Sequence, residues 1–336
     1  MATYYGTYGQ KVQYLASDPS DPQIGQVWYN STSATLKVRA EATVAWASAT
    51  AMNIAREQAG AAGTQTALIV FNGASPSPPA SDDTSETYNG TTWTNGPALP
   101  VAKYRPAGVG TQTAALSISG VPITNGPTNS AGTASFNGTS WTAITDVTSS
   151  RMTSAGAGTQ TSALVFGGYF YAPGAGATKL NSSEEWNGTS WTSGGTLAEA
   201  KGAIAGFGIQ TAAVCVGGQI PPGGATNATE EYDGTSWSGG GNASQSKTAA
   251  FATGTLTAGL MFGGAVPPDS NQTEFYNGTS WTTSPATLNT ARSGGCSGSL
   301  GTQTSAICAG GNTPTATNTE EWTGPGVATT KTVTVS

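Results

Sequence analysis

The sequence contains no histidine and only three cysteines among its 336 residues. The missing imidazole excludes His-dependent catalytic triads and His-ligated copper centres. The cysteines, Cys215, Cys296 and Cys308, are odd in number and lack metal-ligand spacing, so they read as small buried hydrophobes. Charge is also scarce. Twelve Lys+Arg against 18 Asp+Glu leave 9% charged residues and a net charge of −6, which excludes a basic nucleic-acid binder. No stretch approaches the apolar length of a membrane span, so membrane insertion is not expected. Residues 1–13 lack the apolar core that a cleavable signal needs.

What the chain has in quantity is glycine, 47 residues of it, set in a repeat. A turn-like tetrad begins at Gly63, Gly110, Gly158, Gly208, Gly254 and Gly301, at intervals of 46 to 50 residues. A Trp closes each unit, at Trp46, Trp93, Trp141, Trp191, Trp237 and Trp281. A period in the forties with short strand-like runs inside it predicts a propeller or a similar array. Each unit divides into four strands. The first, before the tetrad, is built of Gly and Ala. The second is continuously apolar, as in Ala163-Leu164-Val165-Phe166, which fits a strand buried on both faces. The third is Glu-x-aromatic, and an Asn-Gly or Asp-Gly hairpin leads from it to the Trp of the fourth. Small residues innermost and large aromatics outermost match blades that diverge from an axis. The sixth unit has no Trp after Trp322, and Trp46 stands in surplus at the other end, so the N-terminal side is expected to supply the last outer strand and close the ring.

A meander places the tetrad and Asn-Gly turns on one face, which is uniform. The other face carries irregular loops, one with Pro76, Pro78 and Pro79, another opening with Tyr169, Phe170 and Tyr171. Uneven loops on a rigid scaffold are where binding sits, and these three aromatics are the candidate ligand-binding residues, suited to stacking on sugar rings. Outside the repeat, residues 25–30 and 35–39 read as a hairpin, with Trp28 and Tyr29 as candidate docking side chains. Lys331 to Ser336 alternate like a half-buried strand that pairs with that hairpin or with a partner. The resulting division is a docking segment at 1–40, the propeller at 41–325 and a tail at 326–336.

Two sets of charges need a role. Arg56, Lys103, Arg151, Lys201, Lys247 and Arg292 precede the tetrads at nearly constant spacing. They read either as salt bridges and carbonyl contacts between strands or as a positive collar for an anionic ligand at the axial opening. The acid pairs Glu184-Glu185, Glu230-Glu231 and Glu320-Glu321 would suit glycosidase chemistry, but neighbours in a strand point to opposite faces, and pairing with the cations is the better account. Asn89, Asn137, Asn187 and Asn277 lie in glycosylation-like triplets that read as hairpin turns. No cofactor, metal or catalytic residue is expected.

The order of apolar run, Gly-Gly, loop, Glu-x-Tyr, Asn/Asp-Gly and Trp resembles the kelch β-propeller repeat over residues 41–323. Gly167-Gly168, Gly217-Gly218, Gly263-Gly264 and Gly310-Gly311 carry the double glycine, and Tyr88, Tyr232 and Tyr276 the Tyr. Asn72-Gly73 and Ser119-Gly120 depart from it, as does Ala134-Ser135-Phe136 in place of the acidic third strand. The strings around GTQT and EEWTGPGVATTKTVTVS, and residues 17–38, are similar to kelch-like structural proteins of tailed bacteriophages, notably cyanophage and marine-phage fibre and tail-associated proteins. That resemblance implies an all-β, six-bladed kelch-like propeller acting as a non-enzymatic virion protein. Its partners would be other virion proteins, through the N-terminal segment and the tail, and a host surface glycan. Alternatives are a head decoration, a tail or baseplate connector, or a polysaccharide-cleaving enzyme. Assembly into a particle released by lysis fits the lack of a cleavable signal.

Overall fold

The computed structural model describes residues 12–23, 25–41, 43–76, 79–122, 130–172, 176–312, 316–326 and 328–333, all in strands, turns and loops. Residues 1–11, Pro78 and residues 334–336, which enter the expectations above, lie outside the described residues. The chain divides into two compact units, Met1–Ala45 with Thr323–Ser336, and Trp46–Trp322.

The first unit is a four-stranded sheet. Gln13–Leu15 runs parallel to Val27–Asn30, which forms an antiparallel hairpin with Thr35–Glu41. Ala328–Thr332 then pairs antiparallel with Thr35–Glu41, so the N-terminal hairpin and the tail share one sheet. Strand alternation turns Trp28 inward and leaves Tyr29 half-buried on the other side. Trp28 is fully buried, and its indole N–H donates to Asp18 Oδ1 at 3.0 Å. Asn30 Nδ2 donates to the same oxygen at 2.7 Å, and Lys37 Nζ reaches Oδ2 at 2.6 Å. These bonds, Lys37 first, hold the Asp18 carboxyl down at about 2. Trp28 is therefore the core of this unit, which corrects its reading as a docking side chain. Tyr29 stacks on exposed Tyr14 with ring centroids 5.1 Å apart.

Among its described residues the second unit contains six four-stranded sheets, built on antiparallel pairing, in a propeller-like arrangement. Sheets one to six begin with the strands Gly60–Thr64, Ala107–Thr111, Ala155–Gly158, Ala205–Ile209, Phe251–Thr255 and Cys296–Ser297. Each first strand touches the next, and Cys296–Ser297 touches Gly60–Thr64. Sheet six takes its fourth strand, Ala45–Ala49, from the N-terminal side. The small residues of the first strands are imposed by sterics: a Cβ on Gly108 would lie 2.3 Å from the carbonyl oxygen of Ala61 in sheet one. At the periphery the third-strand aromatic packs on the fourth-strand Trp in every sheet. Tyr88–Trp93, Phe136–Trp141, Trp186–Trp191, Tyr232–Trp237, Tyr276–Trp281 and Trp322–Trp46 have centroids 4.7–5.2 Å apart.

Polar side chains fasten neighbouring sheets. The tetrad glutamine reaches back to the preceding sheet: Gln112 Nε2 donates to the carbonyls of Leu68 and Tyr88, and Gln210 Nε2 to those of Ala163 and Trp186. Gln65 does the same from sheet one to the Trp322 carbonyl of sheet six. The middle residue of Glu-x-aromatic matches the aromatic of the next sheet. Where that aromatic is Tyr, the residue is Glu: Tyr232 Oη donates to Glu185 at 2.5 Å, Tyr276 Oη to Glu231, and Tyr88 Oη to Glu321 at 2.9 Å. Where the next aromatic is Phe or Trp the residue is Thr87, Ser135 or Phe275, and Phe275 lies against Trp322.

Candidate functional site

The six cations are where the strands of each sheet are tied to the linker that enters it. Arg56, Arg151, Lys201, Lys247 and Arg292 pair with Glu86, Glu184, Glu230, Glu274 and Glu320, the second residue of the third strand in the same sheet. All six cations are at most 3% exposed. Arg151 is typical. Its Nη2 meets Glu184 Oε1 at 2.7 Å, and Nη1 donates to the carbonyls of Gly167 and Ser182. Glu184 in turn accepts from the backbone N–H groups of Thr148 and Ser149. Burial pushes the Glu184 carboxyl up, but the bonds from Thr148 and the charge of Arg151 outweigh it and hold it below its ordinary value. The cation's own carbonyl accepts from the second glycine of the preceding sheet, as in Gly168 N–H to Lys201 O at 2.9 Å and Gly311 N–H to Arg56 O at 3.1 Å. The collar reading is thus corrected: these side chains turn away from the axis into their own sheets. The first acid of each pair is occupied here, and the second, Glu185, Glu231 or Glu321, accepts from the next sheet's Tyr.

Two residues beyond each cation the chain reaches the axis. Gln58, Arg105, Thr153, Ala203 and Ala249 all have positive φ of 47–61°, and Gly294 has 65°. That left-handed turn is uncommon for side-chain-bearing residues and marks imposed backbone geometry. It aligns the peptides into a belt around the axis, bonded at five of its six steps among the described residues and open between Thr153 and Ala203. Arg105 N–H donates to Gln58 O, Thr153 to Arg105 O, Ala249 to Ala203 O, Gly294 to Ala249 O, and Gln58 to Gly294 O. The belt rims a cavity of about 440 Å³. Below it, the Gly- and Ala-lined first strands leave a narrow passage of about 120 Å³.

The cavity is lopsided. Gln58, Arg105 and Thr153 make one side polar, while Ala203, Ala249 and Gly294 leave the other bare. Arg105 Nε donates to Gln58 Oε1 at 2.5 Å and its guanidinium lies 5.2 Å from the Tyr104 ring centroid, without an ion pair among the described residues. Tyr169 and Tyr171 complete the wall. They stand on a hairpin, Tyr169–Ala172 with Gly176–Lys179, where a loop was expected. Tyr169 Oη donates to Gln219 Oε1 at 2.7 Å, and burial raises its pKa while Arg105 lowers it. Phe170, between the two tyrosines, points to the other face of the hairpin and is 39% exposed, so of the three predicted aromatics two reach the cavity. Sequence reasoning missed Arg105 and Gln58. The available signal was register alone: both stand two residues after a repeat cation, the position that carries Thr153, Ala203, Ala249 and Gly294 in the other repeats.

The arrangement defines a propeller-like β scaffold with a cupped, half-polar and aromatic-walled cavity on its irregular face. No family model and no curated protein matches the chain. Among solved structures it is similar to that of YjhT, with a TM-score of 0.67 and 13% identity over 84% of this chain and 99% of that one. At that identity the likeness speaks for the fold alone. Among the described residues no cluster of His, Cys, Asp or Glu could hold a metal ion, and no helix is long and apolar enough to cross a membrane.

Proposed function

We propose that the chain is a closed six-bladed kelch-like propeller and a non-enzymatic virion protein of a tailed bacteriophage, a fibre or tail-associated component that presents its irregular face to the host surface. The closed ring is supported by the Tyr88–Glu321 and Gln65–Trp322 contacts, which repeat between the last and first sheets the bonds made between the others. The binding role rests on one observation, the cavity rimmed by Arg105, Gln58, Tyr169 and Tyr171. Aromatic faces stack on sugar rings, and the guanidinium and amide supply donors and an acceptor for hydroxyl or acidic groups. The phage assignment rests on the sequence resemblance. The test is binding of labelled, purified chain to intact host cells. Saturable binding that is lost in Tyr169→Ser/Tyr171→Ser and in Arg105→Ala is expected. A folded chain that binds no candidate host would instead favour an architectural connector, a reading to which the exposed Val12 and Tyr14 of the first unit lend some support.

A further inference from the structure

Sheet two breaks the charge pattern of its five neighbours. Its third strand, Thr133–Phe136, has Ala134 where the others have the glutamate that meets the cation. Lys103 is nonetheless 3% exposed, and it forms no ion pair among the described residues. One of its three ammonium hydrogens is accounted for, by the Gly132 carbonyl at 2.9 Å. Asp146 at the rim compensates part of the charge from beyond ion-pair distance. A buried ammonium without a carboxylate is costly unless something else meets it.

The space that the glutamate vacates is open. A cavity of about 280 Å³ is lined by Leu99, Val101, Lys103, Thr133, Ala134 and Asp146. The Thr133 N–H donates to Asp146 Oδ1 at 3.2 Å, so the rim carboxylate is held by the strand backbone and not by Lys103. In the other sheets the carboxylate also collects linker N–H groups, such as those of Asn53 and Ile54 on Glu86. In sheet two the first of these positions is Pro100, which has no N–H, and the second, Val101, donates to nothing among the described residues. Where the other sheets hold a carboxylate, this cavity therefore keeps a cation and one backbone donor with no carboxylate within ion-pair distance of Lys103 among the described residues.

We propose that this cavity binds a small carboxylate, of acetate to short-chain-acid size, whose carboxyl group occupies the place that glutamate occupies in the other five sheets. The test uses the full-length chain and sodium acetate at constant ionic strength, with sodium chloride as the control. Saturation-transfer NMR on the acetate methyl group and the thermal midpoint are the readouts. A saturable effect is expected with acetate and not with chloride. Ala134→Glu, which supplies the carboxylate covalently, should weaken acetate binding at least about tenfold while leaving the chain at least as stable. Asp146→Asn should strengthen binding by removing a like charge at the rim. An acetate effect matched by chloride, absent altogether, or unchanged in Ala134→Glu would overturn the site.

Discussion

Arg151 and Lys103 occupy the same place in adjacent sheets and carry opposite consequences. Arg151 satisfies Glu184 and two carbonyls in a space closed to water, so removing it leaves a buried carboxylate unpaired. Arg151→Met should cost about 3–5 kcal/mol in urea unfolding. Lys103→Met removes a costly buried cation that has no such partner and should be neutral to stabilising at pH 7. The pH dependence separates them further. Burial lowers the Lys103 pKa from its ordinary 10.5 to about 8, with Asp146 opposing. A lowered lysine pKa means that between these values the unfolded chain holds more protons than the folded one. Stability of the parent chain should therefore rise with pH from about 8 to about 10.5 relative to Lys103→Met, and a flat difference curve would contradict the burial argument.

The strand pairs are also held by what lies between sheets. Trp93 is 7% exposed, stacks on Tyr88, and belongs to a core that includes Ile307 and Ala309 of sheet six. Its indole N–H also donates to the Thr50 carbonyl at 2.9 Å. Trp93→Ala empties that wedge and should cost about 3–5 kcal/mol, measured by chemical denaturation; an unchanged midpoint would refute the wedge assignment. The hairpins beside these tryptophans are locally determined. Asn89 Oδ1 accepts from the N–H groups of Thr91 and Thr92 while Gly90 takes a φ of 92°, which only glycine adopts readily. This is the role the Asn-Gly-Thr triplets play, and the strand order around them follows directly from the sequence.

Across the whole molecule the same contacts recur until the last sheet meets the first. Tyr88 belongs to sheet one and Glu321 to sheet six, 233 residues apart, yet they bond as Tyr232 and Glu185 do. Burial, then the bond to Glu321, raises the Tyr88 pKa to about 12. A double-mutant cycle of Tyr88→Phe and Glu321→Gln should give a coupling of about 0.5–1.5 kcal/mol, and a coupling near zero would mean that the first and last sheets do not hold each other in solution. The belt of peptides at the axis belongs to this scale as well, since each bond in it joins residues from different sheets.

The sequence by itself determined what repeats: the all-β, propeller-like architecture, the strands, the glycine turns, and the cations with their acids. Each copy must solve the same steric and hydrogen-bonding problem, so the answer recurs at a readable period. Tertiary structure decided what differs. Trp28 looked like a surface anchor because local pattern cannot say which face of a short strand is covered. Phe170 looked equivalent to its neighbours until pairing with Gly176–Lys179 set which residues face the cavity. Arg105 and Gln58 were invisible as a pair because 47 residues separate them, and only the convergence of the sheets on one axis brings them within hydrogen-bond distance.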